Sequence, residues 1–200
     1  HQPLEGGKSS GIWAILVGMT AVQRPSISYA DYLRQEEVSD VRHEFLRGEI
    51  FAMAGGTLEH SLIGVAVTSE LRAKLVESGC RVFSSDARLR HEKNDFSCYP
   101  DAMVVCGEIV RAGDDVNAVT NPVVIVEVLS DSTEAHDRGA KASHYRSIAS
   151  LKELVFVSQN EPHVEVHRRN SAGRFELFEW RAGETIQLAS IGISISLDSL

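Results

Sequence analysis

The stretch Val123-Val124-Ile125-Val126-Glu127-Val128-Leu129 constrains this chain more than any other. It is a nearly unbroken run of β-branched residues. Such a run fits a strand covered on both faces, at the centre of a sheet, because a half-exposed strand would alternate apolar with polar residues. Asn121-Pro122 breaks the chain just before it. One charge sits inside the run. Desolvating an unpaired carboxylate is costly, so Glu127 must be neutralised, hydrogen-bonded or set against a cation. A structural ion pair with Lys or Arg is the alternative to a functional role.

The surrounding pattern builds an α/β domain around that strand. Ser28 is placed to cap a short helix through Tyr29, Tyr32 and Leu33. Arg47-Gly48 lies between two apolar stretches as the turn of a β-hairpin would, over Glu44 to Met53. Leu62, Val65, Ala66, Leu71 and Leu75 recur at steps of three and four, which predicts a helix over Leu58 to Val76 stopped by Gly79. Cys80 to Arg90 and Cys98 to Cys106 read as strands. Asp131, with Glu134 three residues on, resembles a capping box opening a helix that runs to about Ile148. Leu154–Val157, His163–His167 and Phe175–Trp180 follow as further strands. The 200 residues are enough for one domain, expected over 19–200. Residues 1–18 read as a tag or upstream segment with Met19 as the start; the competing reading, a leader built from Lys8 and the apolar Ile12 to Met19, lacks a clean cleavage site.

Charge and cysteine content narrow the function classes. The net charge of −8 argues against a passive, surface-wide nucleic-acid binder, which depends on basic side chains against phosphate, but leaves room for a local metal-dependent site. No apolar run is long enough to span a bilayer as a helix, so no membrane partner is expected. Cys80, Cys98 and Cys106 show no paired spacing; they are expected to be small buried thiols in a reducing cytoplasm, not disulfides or zinc ligands. A cysteine hydrolase is disfavoured because nothing nearby would depress a thiol pKa.

Three residues carry the candidate chemistry. Asp101 directly precedes an apolar strand in Tyr99-Pro100-Asp101-Ala102-Met103-Val104-Val105. If that strand neighbours Val123–Leu129, Asp101 and Glu127 reach one end of the sheet and can share a divalent cation. Mg²⁺, with Mn²⁺ as a substitute, suits such a site because it takes one or two carboxylates and keeps its waters. Lys141, on the following helix, can be presented to the same end, where an ammonium would orient a water or offset phosphoryl charge. Gly139 would allow close approach of another backbone, and Arg138, Lys141 and Tyr145 would share one helix face. The plain alternatives are a strand-start Asp in a Pro-Asp turn and a solvated helix Lys. Glu44 and His60 are secondary candidates, as an extra carboxylate and as a phosphate or proton-transfer group. Asp86 reads as a structural acceptor, and the other histidines show no compelling ligand spacing.

Taken together, Pro100-Asp101, Val126-Glu127-Val128-Leu129-Ser130 and Asp137-Arg138-Gly139-x-Lys141 resemble the bacterial restriction-endonuclease-fold family within the PD-(D/E)XK nuclease superfamily. Glu44 to Ile50, Glu59-His60 and Ser84-Ser85-Asp86 extend the likeness over roughly 28–200. The resemblance implies a core of helix, three-stranded meander, helix and strand, here with an N-terminal β-hairpin and extra C-terminal strands. It also implies Mg²⁺-dependent hydrolysis of DNA phosphodiesters, with Asp101 and Glu127 on the metal and Lys141 positioning the nucleophile. The superfamily's lysine lies two residues after the acid; that position is Leu129 here, so the lysine is relocated to the next helix. A homodimer is the expected arrangement for cutting both strands. The alternative function is a catalytically weak nuclease fold acting as a nucleic-acid or protein interaction module.

Overall fold

The computed structural model describes residues 26–53 and 55–200. The upstream segment 1–18, the start at Met19 and the leader reading lie outside the described residues. Ser28 caps α1 (Tyr29–Val38), its Oγ accepting from the Asp31 N–H at 3.1 Å. The hairpin β1 (His43–Leu46) and β2 (Glu49–Ala52) turns at Arg47-Gly48, both at positive φ, as the favoured two-residue hairpin turn requires. After α2 (Leu58–Leu75) come β3 (Cys80–Ser84), β4 (Arg88–His91), β5 (Phe96–Cys98), β6 (Ala102–Cys106), β7 (Ala118–Val119) and β8 (Val124–Leu129). α3 (Glu134–His136) continues through a π-turn (Asp137–Lys141) into α4 (Ala142–Arg146). Strands β9 (Glu153–Ser158), β10 (His163–Arg169), β11 (Phe175–Arg181), β12 (Thr185–Leu188) and β13 (Ile193–Ser196) complete the chain.

β8 is buried at every residue and lies inside a six-stranded sheet of order β11-β10-β9-β8-β6-β3. β8 and β9 run parallel, joined by the α3–α4 crossover, while the other pairs are antiparallel. On one face, Val124, Val126, Val155 and Val157 pack against Val67, Leu71 and Leu75 of α2 and against β12–β13. On the other, Ile125, Leu129, Leu154 and Phe156 pack against Ala142 and Tyr145 of α4 and against a second, five-stranded sheet of order β2-β1-β5-β4-β7. No described helix is long and apolar enough to cross a membrane.

Several expectations need correcting. Cys80 and Cys106 are not free thiols: they stand directly opposite each other across β3 and β6 and are joined as a disulfide, a pairing that a sequence separation of 26 conceals. Cys98 is the buried free thiol. The stretch Cys80–Arg90 is two strands in different sheets, and so is Cys98–Cys106, because Tyr99-Pro100-Asp101 crosses from one layer to the other. The apolar face of α2 is narrower than its periodicity implies. Leu62 and Val65 are 71% and 64% exposed, because the sheet covers mainly the C-terminal half of the helix, at Val67, Leu71 and Leu75. The helix after β8 begins at Glu134 without a side-chain cap and ends at Arg146. Asp131 instead accepts a 2.6 Å hydrogen bond from Asn160, and the Ser130 carbonyl accepts the Glu134 N–H.

Candidate active site

A cleft of about 360 Å³ opens where the two sheets meet, lined by Glu44, His60, Asp101, Glu127, Asp137 and Lys141 among others. Each arrives for a local reason. Pro100 has no N–H for a ladder, and just ahead of β6 the Asp101 side chain takes over the pairing: its Oδ2 accepts the Val128 N–H at 2.7 Å. That bond anchors Asp101 one residue from Glu127. Ile125, Glu127 and Leu129 share the face turned toward α4, so the strand's period of two directs Glu127 at the helix. His60 lies in the first turn of α2, where the Thr57 hydroxyl accepts its N–H at 3.1 Å, and its Nε2 stands 3.3 Å from Asp101 Oδ2. Glu44 projects from β1, in the other sheet.

The π-turn brings the lysine in. Its wider turn places Asp137, Lys141 and Tyr145 on one side, four residues apart each time. Lys141 Nζ lies 2.8 Å from Glu44 Oε1, 3.1 Å from Glu127 Oε1 and 3.5 Å from Asp137 Oδ1. Tyr145 donates its hydroxyl to Glu127 and lies 3.2 Å from the Cys98 thiol. His136 Nε2 meets Glu44 Oε2 at 3.1 Å.

Three carboxylates thus converge on one buried ammonium, with Asp101 beside them in the same cleft. Burial lifts Glu127 to about 8 against the pull of Lys141, with Asp101 and Asp137 adding to the lift. Burial also works against charge on Glu44, but the His136 hydrogen bond and Lys141 outweigh it and bring Glu44 to about 2. Lys141 is held well above the ordinary lysine range, since Glu127 and Glu44 overcome its desolvation. The hydrogen bond to Asp101 raises His60 despite partial burial. The donor set fits a hard divalent cation: Asp101 Oδ1 and Glu127 Oε2 take no hydrogen bond from the described residues, and negative charge is in excess.

Asp101, Glu127, Lys141, Glu44 and His60 are therefore gathered in one cleft. Arg138 is not. The π-turn rotates it away from Lys141, so it forks onto Glu165 at 2.6 and 2.9 Å, bonds Glu134 at 2.6 Å and lies over the Phe156 ring. Gly139 meets no approaching backbone; nothing lies within 4 Å of where a Cβ would stand. Asp86 pairs with Arg42 at the surface. The sequence pattern does not single out Asp137 or His136, both of which line the cleft. The four-residue step from Asp137 to Lys141 was a usable signal for the first; for His136, whose partner is 92 residues away, there was none.

Known proteins bear on this arrangement. "Uncharacterized protein slr1290" of Synechocystis sp. (strain ATCC 27184 / PCC 6803 / Kazusa) is 32% identical over 174 residues, covering 87% of this chain and 90% of that protein. "Uncharacterized protein sll1609" of the same organism is 32% identical over 143 residues, covering 72% and 81%. A crystal structure titled as a putative nuclease belonging to DUF820, from Anabaena variabilis ATCC 29413, matches with a TM-score of 0.65 at 17% identity, over 80% of this chain and 90% of that one. That likeness shows a shared restriction-endonuclease-like fold. The sequence signature of Uma2, described as "Putative restriction endonuclease", matches residues 29–198, and the chain belongs to that family.

Proposed function

We propose that this protein is a Mg²⁺-dependent endonuclease that hydrolyses DNA phosphodiester bonds. The observation that carries the reading is the meeting of Asp101, Glu127 and Lys141, remote in sequence, in one cleft with Glu44 and His60. The family description and the nuclease title of the fold relative point the same way. Asp101 and Glu127 would hold the cation, whose part is to polarise the scissile phosphate and acidify a water.

The chain's own groups have separable tasks. Lys141, held protonated by its carboxylate neighbours, cannot accept a proton; it acts as a fixed positive charge that orients the attacking water and offsets phosphoryl charge. Glu44 and Asp137 hold that ammonium in place. Tyr145 fixes the Glu127 carboxylate. His60, whose protonated form Asp101 favours, would donate a proton to the leaving oxygen.

Plasmid cleavage with Mg²⁺ or Mn²⁺ tests the reading. Nicking that appears with either ion, stops with chelator and is lost in Asp101→Asn and Glu127→Gln is the expected result. An Asp101→Asn variant that cuts at the wild-type rate overturns it, and DNA binding without cleavage under any metal would favour the interaction module.

A further inference from the structure

β10 and β11 carry a second group of ligand-type side chains, outside the cleft. His163, Glu165 and His167 alternate onto one face of β10, the face that also carries Phe156 and the π-turn's Arg138. Glu179 of β11 stands directly opposite Glu165 in the antiparallel register. Two acids facing each other across a ladder repel; Arg138 on Glu165 and Arg181, 3.7 Å from Glu179 Oε1, offset part of that repulsion. One donor atom each from His163, Glu165 and Glu179 lies within 4.8 Å of the others, and this is the one such group of three among the described residues. His163 Nε2 stands 3.0 Å from Glu179 Oε1, and the His163 side chain is only 10% exposed.

A separate observation comes from His167. Its Nε2 is buried and has no hydrogen-bond partner, yet it stops 3.7 Å from Glu165 Oε2. A buried imidazole nitrogen left unmatched is expensive unless something fills the gap. Arg138 already forks onto Glu165, but a carboxylate offers about four lone-pair positions, so it can accept from a guanidinium and still ligate.

We propose that His163, Glu165 and Glu179, with His167 as fourth donor, form a binding site for a first-row transition-metal dication of the Zn²⁺ class. Two imidazoles and two carboxylates match that class, whereas Mg²⁺ favours all-oxygen sites. Ligands about 2.1 Å from a tetrahedral ion lie about 3.4 Å apart, so the three grouped donors, all within 4.8 Å of one another, need only a small contraction, whereas His167, which touches the group through Glu165 alone, must move further to ligate. None of the four residues lines the cleft, so the site is independent of Asp101 and Glu127.

Co²⁺ is the probe, because its visible spectrum reports coordination. Protein stripped of metal by chelator is titrated with CoCl₂ and, in parallel, with ZnCl₂ by calorimetry. The expected result is one tight Co²⁺ per chain with a four-coordinate spectrum, displaced by Zn²⁺ and retained in Asp101→Asn. Glu179→Gln, a substitution at a half-exposed edge position that folding tolerates, should bind at least tenfold more weakly, and His163→Gln should lose the spectrum. Saturating Zn²⁺ should also raise the melting temperature of the wild type and not of Glu179→Gln. Equal Co²⁺ affinity in wild type and Glu179→Gln, or a spectrum that disappears with Asp101→Asn, overturns the proposal.

Discussion

Replacing Lys141 with Met would leave Glu44, Glu127 and Asp137 facing one another in a buried space without their shared counter-charge. Removing one partner of a buried charge cluster costs about 3–5 kcal/mol, so Lys141→Met should lower the urea midpoint markedly as well as abolish cleavage. Glu44 makes a different prediction, through acid. Its pKa falls from 4.5 to about 2 on folding, so its stabilisation is complete above the unfolded value and lost as pH drops through the folded one. The difference corresponds to about 3 kcal/mol. Urea unfolding from pH 6 down to pH 2 should show that loss in the wild type and a flatter acid limb in Glu44→Gln; equal limbs would refute the assignment. The same residues show what a sequence can reveal. Glu127 announced itself, because a lone acid in a β-branched run has few physical excuses. His136 and Tyr145 did not, because their partners are set by tertiary packing.

Among the elements, the π-turn decides which side chains enter the cleft. It sets Asp137, Lys141 and Tyr145 on the working side and sends Arg138 toward Glu165, which a regular helical period of three and four misassigns. Deleting Gly139 should restore a regular helix and swing Lys141 out of register, giving a folded protein without cleavage activity, as circular dichroism and the plasmid assay would show. Gly139→Ala is the contrasting case. Open space at the Cβ position and an ordinary φ predict a neutral to stabilising change of up to about 1 kcal/mol, with activity kept. β8 and the hairpin were legible because pattern and turn chemistry agree there with the tertiary environment. The exposed half of α2 was not, since periodicity reports an apolar stripe but not how far the sheet beneath it extends.

For the molecule as a whole, the order of the core could be read from the chain, but its division into two sheets could not. Nothing local distinguishes Tyr99-Pro100-Asp101 as a crossing between layers from an ordinary strand start. The disulfide was hidden in the same way, since strand register creates the pairing. Closing a loop of that span is worth about 3 kcal/mol, so Cys80→Ser should melt several degrees lower than wild type, and unreduced, denatured protein should titrate a single thiol. Glu44 belongs to one sheet, Glu127 to the other, and Asp101 to the strap between them. The cleft is therefore also a joint: any slippage of one layer over the other alters the spacing of these carboxylates, and a ligand gripped by all of them would rivet the two halves together.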